Sequence, residues 1–275
     1  MAQLLLRGEL LRPGSGSSPP GWPDRDHGIE AVLFDKDGTL CRSEPMLLAL
    51  AQARVFHCRQ LLRKRHPELA QAVLADLGPR LEATYGVEGN SIHPAGTTAV
   101  ASREHNLIST ATALAQLGLG WPEALDLAGE VFQHSDSVLA KDASLAPQAT
   151  PGLHELLERL CGVGVACAVI SNDERQGIEA FLGSENLRSH FLVLRSAGDA
   201  PRKPDPGAVI ALCRELGVEP GRCALIGDAN SDLVMAERAG VAVVLGYSAG
   251  WLRRPPLASR FQQLSHWQEL EVLST

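Results

Sequence analysis

The sequence predicts an α/β fold: a Rossmann-like doubly wound parallel sheet core that carries an inserted α-helical domain. Three observations lead to this prediction. After Thr150, short apolar segments alternate with segments of helical spacing, as in a parallel sheet with helices on both faces. A further apolar segment of the same kind lies at residues 29–34. Between the two, residues 44–141 show helical spacing without a convincing strand.

Composition and charge exclude several classes of protein. The chain has 275 residues and a formal net charge of −7, and this acidic balance argues against nucleic acid as a partner. No apolar run approaches the roughly 18–20 residues of a membrane span, so no membrane partner is expected. The six cysteines form no CxxC pair, and Arg7 and Glu9 interrupt the short leucine run near the start. We therefore expect a reduced, cytoplasmic location without a signal peptide.

The domain boundaries follow from changes in composition. Residues 1–28 are expected to form a flexible N-terminal extension, because residues 12–27 are dense in Pro, Gly and Ser. Regular structure is expected to begin at Ile29. The α/β core domain is predicted from 29–43 together with 146–275, and the helical domain from the segment between them, 44–145.

The elements are predicted in order from local patterns. Residues 29–34 are apolar, include β-branched side chains and end in a polar cluster, which predicts a short buried strand. The insertion is predicted to hold four helices, near 44–62, 67–77, 98–117 and 122–139. The later helices are predicted at 151–161, 174–182, 206–216 and 231–239. The strands that alternate with them are predicted at 163–170, 191–194, 223–226 and 241–245.

Three of the predicted strands end in residues that can carry chemistry. The segments DKDGT (35–39), SND (171–173) and GDANSD (227–232) each follow a strand, and RKPDP (202–206) precedes a helix on the same side. In open α/β sheets, sites form beyond the carboxyl ends of the strands, so these segments are expected to converge.

Four carboxylates would lie near one point after this convergence: Asp35, Asp37, Asp228 and Asp232. Unpaired carboxylates repel each other, and a divalent cation relieves the repulsion. Hard oxygen ligands with room for water suit Mg²⁺, which is the predicted cofactor. Lys203 adds a fixed positive charge.

The same place is suited to a phosphoryl group. Ser171 and nearby backbone N–H groups can hold phosphate oxygens, and Gly38 allows the backbone to approach a ligand closely. The residues therefore predict a site for a phosphoryl group with a carboxylate placed to attack it.

Four segments carry a resemblance to a known family. FDKDGTL (34–40), ISN (170–172), RKPDP (202–206) and IGDANSD (226–232) resemble, in order, the four motifs of the haloacid dehalogenase superfamily. The match covers residues 29–40 and 150–250. The whole layout looks like that of the phosphoglycolate phosphatases in this superfamily, in which a helical cap is inserted just after the first motif.

The resemblance implies catalytic roles for three residues. Asp35 would be the nucleophile and form an aspartyl-phosphate. Asp37 would protonate the leaving oxygen and then take a proton from the hydrolytic water. Lys203 would balance the charge of the nucleophile and of the phosphate.

The resemblance also implies the ligands of the cation and of the phosphate. Mg²⁺ would be held by the carboxylates of Asp35 and Asp228 and by the backbone carbonyl of Asp37, with Asp232 as a direct or water-mediated orienting group. The phosphate would be held by Gly38, Thr39, Ser171, Asn172 and Lys203.

The first motif also separates branches of the superfamily. Members that cleave carbon–halogen bonds lack an acid at the position of Asp37, so a dehalogenase is not expected. Lys36 departs from many soluble members, which have an apolar residue there, and it is expected to face solvent or to anchor the loop. Transport ATPases of the superfamily also have lysine there, but they need membrane helices.

Three further residues are possible determinants of substrate specificity: Arg42, Thr97 and Arg103. Arg42 lies where the cap begins, and Thr97 belongs to a loop between predicted helices. Arg103 is able to bind a carboxylate or a second phosphate, but a solvated helix face is the favoured explanation of an arginine at this position.

The leading hypothesis is a Mg²⁺-dependent phosphatase acting on a small phosphorylated metabolite, such as phosphoglycolate or a sugar phosphate. One alternative is a phosphomutase that uses the same aspartyl-phosphate. Another is a phosphonate hydrolase, which needs a cap lysine, and the cap offers only Lys64 and Lys141. A binding module without activity is a third alternative, and the oligomeric state stays open.

Overall fold

The computed structural model describes residues 2–11, 28–68, 71–139 and 142–274. The chain divides into two compact units. The first, here called the sheet unit, consists of Met1–Arg42 and Gln148–Thr275, and the second, the helical unit, consists of Ser43–Pro147. The helical unit corresponds in sequence to the insertion expected at 44–145.

The strands are short and the helices are longer. The strands are β1 (Ala2–Leu6), β2 (Glu9–Leu10), β3 (Ala31–Phe34), β4 (Cys41–Arg42), β5 (Val87–Glu88), β6 (Ser91–Ile92), β7 (Gln148–Ala149), β8 (Ala166–Ile170), β9 (Phe191–Arg195), β10 (Cys223–Gly227), β11 (Val243–Tyr247), β12 (Gln262–Leu264) and β13 (Leu270–Ser274). The helices are α1 (Glu44–Arg65), α2 (Gln71–Tyr85), α3 (Thr97–Val100), α4 (Arg103–Ala115), α5 (Trp121–Leu139), α6 (Leu153–Gly162), α7 (Arg175–Ser184), α8 (Pro206–Leu216) and α9 (Asn230–Arg238).

A six-stranded sheet forms the centre of the sheet unit. Its strand order is β12-β11-β10-β3-β8-β9, and every neighbouring pair is parallel. Alternate side chains of each strand point to opposite faces, so Val32 and Phe34 join the core beneath α6 and α7, while Ala31 and Leu33 join the core beneath α8 and α9. Helices therefore cover both faces, and the predicted doubly wound α/β class is confirmed.

The N-terminal segment differs from its prediction. Regular structure begins at Ala2 and not at Ile29, because β1 pairs antiparallel with β13 and with β2 in a second sheet of order β13-β1-β2. The side chains of Ala2, Leu4 and Leu6 are buried in the same core as the main sheet. The partner strand β13 lies at the other end of the sequence, so local patterns do not reveal the pairing. The Pro/Gly/Ser-rich residues 12–27 lie outside the described residues.

The helical unit is built from its four longer helices. α1 packs against α2 and α5, and α4 packs against α5. The second helix extends to Tyr85 instead of ending at Leu77, despite Pro79 in its interior. Leu77, Leu81 and Tyr85 share one helix face and are all fully buried, and burial of this face outweighs the roughly 3 kcal/mol cost of an interior proline.

Two further details of the helical unit correct the expectations. The predicted helix at 98–117 is divided into α3 and α4, because Ala101 and Ser102 are extended and the Ser102 hydroxyl accepts a hydrogen bond from the backbone N–H of His105. A short hairpin of two two-residue strands, β5 and β6, also lies among the helices, where no strand was expected. Among the described helices, none is long and apolar enough to cross a membrane.

Candidate active site

Three buried carboxylates converge at the carboxyl edge of the main sheet. Asp35 follows β3 and Asp228 follows β10, and these two strands are parallel neighbours with Phe34 opposite Ile226. Asp232 lies in the first turn of α9, where a negative charge is favourable at the helix N-terminus. One oxygen of each carboxylate lies within 4.8 Å of the others. The predicted convergence of these strand ends is therefore seen in the fold.

A buried lysine joins two of the three carboxylates. The Nζ of Lys203 lies 2.5 Å from Oδ1 of Asp35 and 3.0 Å from Oδ1 of Asp232. Burial lowers the pKa of Lys203, but Asp232 and Asp35 outweigh this effect and raise its pKa above the ordinary value. Lys203 is therefore a fixed positive charge.

The loop that carries Lys203 is anchored on both sides. On one side, the buried Arg195 at the end of β9 donates from Nη2 to the carbonyls of Ala200 (2.8 Å) and Pro201 (3.2 Å). On the other side, the Asp205 carboxylate accepts a hydrogen bond from the backbone N–H of Gly207 (2.7 Å) and caps α8. These contacts explain how a long, flexible side chain is held at one place.

The electrostatics of the cluster favour a cation. Burial raises the pKa of Asp35 most, Lys203 lowers it and Asp232 raises it again, so that it lies at about 6. Burial and the neighbouring Asp35 and Asp232 raise the pKa of Asp228 well above its ordinary value. When all three carboxylates are ionised, the single positive charge of Lys203 leaves an excess of two negative charges. Three oxygen donors with this charge fit a hard divalent ion such as Mg²⁺.

Both oxygens of Asp228 are also held by hydrogen bonds. The hydroxyl of Thr39 donates to Oδ1 over 3.1 Å, and the indole Nε1 of Trp251 donates to Oδ2 over 2.6 Å. Thr39 was expected to bind phosphate. Its hydroxyl is fully buried and orients the Asp228 carboxylate, and a contact of Thr39 with phosphate stays a prediction.

Asp37 lies outside the carboxylate cluster. Its Oδ1 is 2.6 Å from Nζ of Lys36, and the same ammonium is 2.9 Å from Oδ2 of Asp173 in the loop after β8. The side chain of Asp37 therefore turns toward Lys36, and a role for its backbone carbonyl as a metal ligand stays a prediction. Lys36 is only 1% exposed, so the expectation that it faces solvent is wrong, and it anchors the loop.

The segment after β8 is close to the first motif because β8 is the neighbour of β3. The Ser171 hydroxyl is buried and accepts a hydrogen bond from the backbone N–H of Asp173 (3.1 Å), which shapes the SND turn. Ser171 and Asn172 thus lie at the carboxyl end of a strand adjacent to Asp35, and their contact with phosphate stays a prediction.

Gly38 has to be glycine in this arrangement. Its φ of +78° lies in the left-handed region, and a Cβ at this position would lie 2.0 Å from Nε1 of Trp251 and 2.4 Å from Oδ2 of Asp228. The backbone here approaches the carboxylate and the indole more closely than any side chain allows.

The three possible specificity residues belong to different units. Arg42 lies in the sheet unit, and Thr97 and Arg103 lie in the helical unit. Arg42 is an exposed residue of β4 in the sheet unit. In the helical unit, the hydroxyl of Thr97 donates to the carbonyl of Thr84 over 2.6 Å. Also in that unit, Arg103 binds Asp136 from Nε at 2.8 Å and from Nη2 at 2.7 Å. Their roles toward a substrate stay predictions.

The lysines of the phosphonate hydrolase alternative gain no support. Lys64 is an exposed residue near the end of α1, and Lys141 lies outside the described residues.

Sequence reasoning missed Trp251 and the part that Thr39 plays beside it. Trp251 follows β11, which neighbours β10, so it also lies beyond the carboxyl end of a parallel strand. A tryptophan flanked by glycine at such a place is a signal that could have been used. It belongs to no motif, however, and its contact with Asp228 spans 23 positions of sequence.

The chain is similar to known proteins of one family. The family profile described as haloacid dehalogenase-like hydrolase matches residues 29–240. A phosphoglycolate phosphatase from Pseudomonas fluorescens (strain Pf0-1) is 30% identical over 238 residues, 82% of this chain and 72% of that protein. A phosphoglycolate phosphatase from Rhodospirillum rubrum is 30% identical over 230 residues, 82% of either chain.

A solved structure shares the fold. It is described as a predicted phosphoglycolate phosphatase from Haemophilus somnus 129pt, and it superposes with a TM-score of 0.58 at 19% identity, over 87% of this chain and 95% of that one. The family match includes the strand ends that carry Asp35, Ser171 and Asp228. The resemblance noted in the sequence is thereby confirmed: the protein is a hydrolase and belongs to the haloacid dehalogenase-like hydrolase family.

Proposed function

We propose that the protein is a Mg²⁺-dependent phosphatase that hydrolyses a small organic phosphate monoester through an aspartyl-phosphate on Asp35. One observation carries the proposal. The buried carboxylate of Asp35 is held 2.5 Å from the Lys203 ammonium and within 4.8 Å of the carboxylates of Asp228 and Asp232. This arrangement offers an oxygen nucleophile together with the charge neutralisation that phosphoryl transfer needs.

The residues present fit a divalent cation. Asp35, Asp228 and Asp232 would hold it, with the backbone carbonyl of Asp37 as a further predicted ligand. When bound, Mg²⁺ supplies positive charge that neutralises phosphate oxygens. Lys203 adds a second positive charge, fixed by its contacts with Asp35 and Asp232. Together these charges allow an anionic nucleophile to approach an anionic substrate.

The reaction would take place in two steps. A carboxylate oxygen of Asp35 attacks phosphorus, the bond from phosphorus to the ester oxygen breaks, and Asp37 gives that oxygen a proton. Water then attacks the phosphorus of the aspartyl-phosphate and Asp37 takes a proton from this water. The bond from phosphorus to the Asp35 oxygen breaks, which restores the Asp35 carboxylate and releases inorganic phosphate. Asp37 enters the first step protonated and the second step ionised.

The substrate class follows from the relatives. The two relatives at 30% identity are named phosphoglycolate phosphatases. We infer that this chain acts on phosphoglycolate or on a sugar phosphate of similar size. A phosphomutase would use the same aspartyl-phosphate but would return the phosphoryl group to a sugar, and no contact among the described residues of the sheet unit favours that outcome.

A panel of phosphate monoesters tests the proposal. The full chain is incubated with each ester and Mg²⁺, and inorganic phosphate is measured together with any isomer of the substrate. We expect phosphate release from a small ester, and Asp35→Asn should lower the rate by about 10³-fold or more, because the amide is not a nucleophile. Equal rates for the wild type and Asp35→Asn would overturn the proposal, and isomer without phosphate would indicate the mutase.

A further inference from the structure

Trp251 contacts the carboxylate cluster although it belongs to none of the four motifs. It lies in the segment after β11, is almost fully buried, and donates from Nε1 to Oδ2 of Asp228 over 2.6 Å. A hydrogen bond to an ionised acceptor is about twice as strong as one between neutral groups. The indole therefore acts on a carboxylate that the proposed function assigns to the cation.

Each oxygen of the Asp228 carboxylate accepts one hydrogen bond, and together the two bonds limit the rotation of the carboxylate. Thr39 donates to Oδ1 and Trp251 donates to Oδ2, so rotation of the carboxylate about its last bond breaks at least one of them. The remaining lone pairs of the Asp228 oxygens are available to a metal ion that Asp35 and Asp232 would also bind. Groups that hold a metal-binding side chain in one orientation raise the affinity of the site, because the side chain does not have to be ordered when the metal binds.

The indole itself is held in place by two glycines. A Cβ at Gly38 would lie 2.0 Å from Nε1 of Trp251, so the ring rests directly on this backbone. A Cβ at Gly250 would lie 1.8 Å from the carbonyl oxygen of Gly38, so the backbone next to Trp251 is pressed against the same peptide. The absence of side chains at both positions lets the ring lie where its N–H reaches Asp228.

We infer that Trp251 is a positioning residue of the cation site, acting through the Asp228 carboxylate that it orients. The inference rests on the proposed function, which makes Asp228 a ligand of the cation. It adds a residue from outside the four motifs to the group that determines how tightly the cation binds.

Calorimetric titration of the full chain with MgCl₂, in the absence of substrate, tests the inference. Trp251→Phe keeps an aromatic ring and removes the N–H, and it should raise the Kd for Mg²⁺ by about 10- to 100-fold. The matched control is Trp267→Phe, which removes an indole N–H bonded to the hydroxyl of Thr150 over 2.8 Å in the same unit. It should leave the Kd within about two-fold of the wild type, since it touches no carboxylate of the cluster.

A second measurement keeps the test valid if Trp251→Phe fails to fold. The wild-type chain labelled with ¹⁵N at its four tryptophan indoles is titrated with Mg²⁺. The Trp251 indole signal is assigned as the one missing from Trp251→Phe, or from Phe variants of the other three tryptophans. We expect this signal to shift most, with a midpoint at the calorimetric Kd. A merely structural indole would not follow the titration.

The outcomes separate this inference from the proposed function. If Asp228→Asn binds Mg²⁺ as tightly as the wild type, the cation site of the proposed function fails. If Asp228→Asn loses binding while Trp251→Phe keeps the wild-type Kd, only the inference about Trp251 is overturned. An unmoved Trp251 signal during Mg²⁺ binding contradicts it as well.

Discussion

Lys36 connects two segments of the candidate site that are far apart in sequence. Its ammonium lies 2.6 Å from Asp37 and 2.9 Å from Asp173. Burial lowers the pKa of Lys36, but the nearby Asp37, Cys41 and Asp173 outweigh this and hold it well above the ordinary lysine value. The side chain is therefore charged at neutral pH, and it holds the carboxylate proposed as the general acid in one position.

Replacement of Lys36 by methionine should affect protonation of the leaving group. Lys36→Met keeps the length of the side chain but removes the ammonium that joins Asp37 to Asp173. We expect the rate on an alkyl phosphate to fall by about 10-fold or more, a part of the roughly 10²–10⁴-fold that general acid catalysis contributes. An aryl phosphate with a good leaving group needs no proton, so its rate should fall far less.

Steady-state rates on the two esters measure this difference. The control is Lys64→Met, the same substitution at an exposed lysine of α1, which should leave both rates unchanged. An equal loss on both esters for Lys36→Met would show that Lys36 only supports the fold.

The terminal sheet shows what short strands contribute to the sheet unit. β1 pairs along its whole length with β13, from Ala2 opposite Ser274 to Leu6 opposite Leu270. Its buried side chains join the core that also holds Phe34, the residue before Asp35. Segments at the two ends of the sequence therefore help to pack the strand that carries the proposed nucleophile.

Truncation of one β1 side chain should destabilise the sheet unit. Leu4 is 1% exposed, and Leu4→Ala should lower the free energy of unfolding by about 2–5 kcal/mol, the usual cost of a core leucine. Gln3 points to the other face of β1, and Gln3→Ala should cost less than about 0.5 kcal/mol. Urea unfolding measures both, and equal stability of the two variants would contradict the packing described for β1.

The turn before β13 should make stability depend on acid pH. Burial raises the pKa of Glu269, but hydrogen bonds from the hydroxyl and backbone N–H of Ser265 and the charge of Arg7 outweigh it and lower the pKa to about 2. A carboxyl with a depressed pKa stabilises the fold above its unfolded value of 4.5, and this contribution is lost as the pH falls from 4.5 toward about 2.

Glu269→Gln isolates this contribution. The variant should be less stable than the wild type by about 1–2 kcal/mol at pH 7, because hydrogen bonds to a charged acceptor are lost, while Arg7 is largely exposed and contributes little. The difference should shrink between pH 4.5 and pH 2 in urea unfolding. A difference that stays constant over this interval would show that Glu269 does not titrate as described.

At the scale of the whole molecule, the distribution of charge matters more than its sum. The chain carries a net charge of −7, yet three of its acids are buried at one point with one lysine. Buried like charges destabilise the fold until a cation neutralises them. The proposed cation and Lys203 would neutralise the three carboxylates, and an acidic protein could in this way bind an anionic substrate at this point.

Mg²⁺ should therefore stabilise the fold. A ligand at 100 times its Kd stabilises by about 2.7 kcal/mol, which corresponds to a rise in Tm of roughly 5–10 °C for a chain of this size. Thermal unfolding with and without Mg²⁺ measures the rise, and a chelator should reverse it. Asp228→Asn should show almost no rise, and an equal rise in this variant would place the stabilising ion elsewhere.

The sequence by itself determined the α/β class, the strands that end in the four motifs, and the carboxylates that meet there. These features follow from short-range patterns: an apolar strand, the polar residues directly after it, and a helix start such as the one at Pro206. The rule that sites form beyond the carboxyl ends of parallel strands then brings Asp35 and Asp228 together without knowledge of the packing.

Only the tertiary structure decided which group each side chain contacts. The pairing of β1 with β13, the contact of Trp251 with Asp228 and the position of Lys36 between Asp37 and Asp173 each join groups that are distant in sequence. The energy of such contacts depends on how deeply the groups are buried and on how closely they approach, as at Gly38 and Trp251. Neither burial nor close approach of distant segments produces a periodic pattern in the sequence. The chemistry at the strand ends is therefore local in the sequence, while the groups that orient it are set by the packing of distant segments.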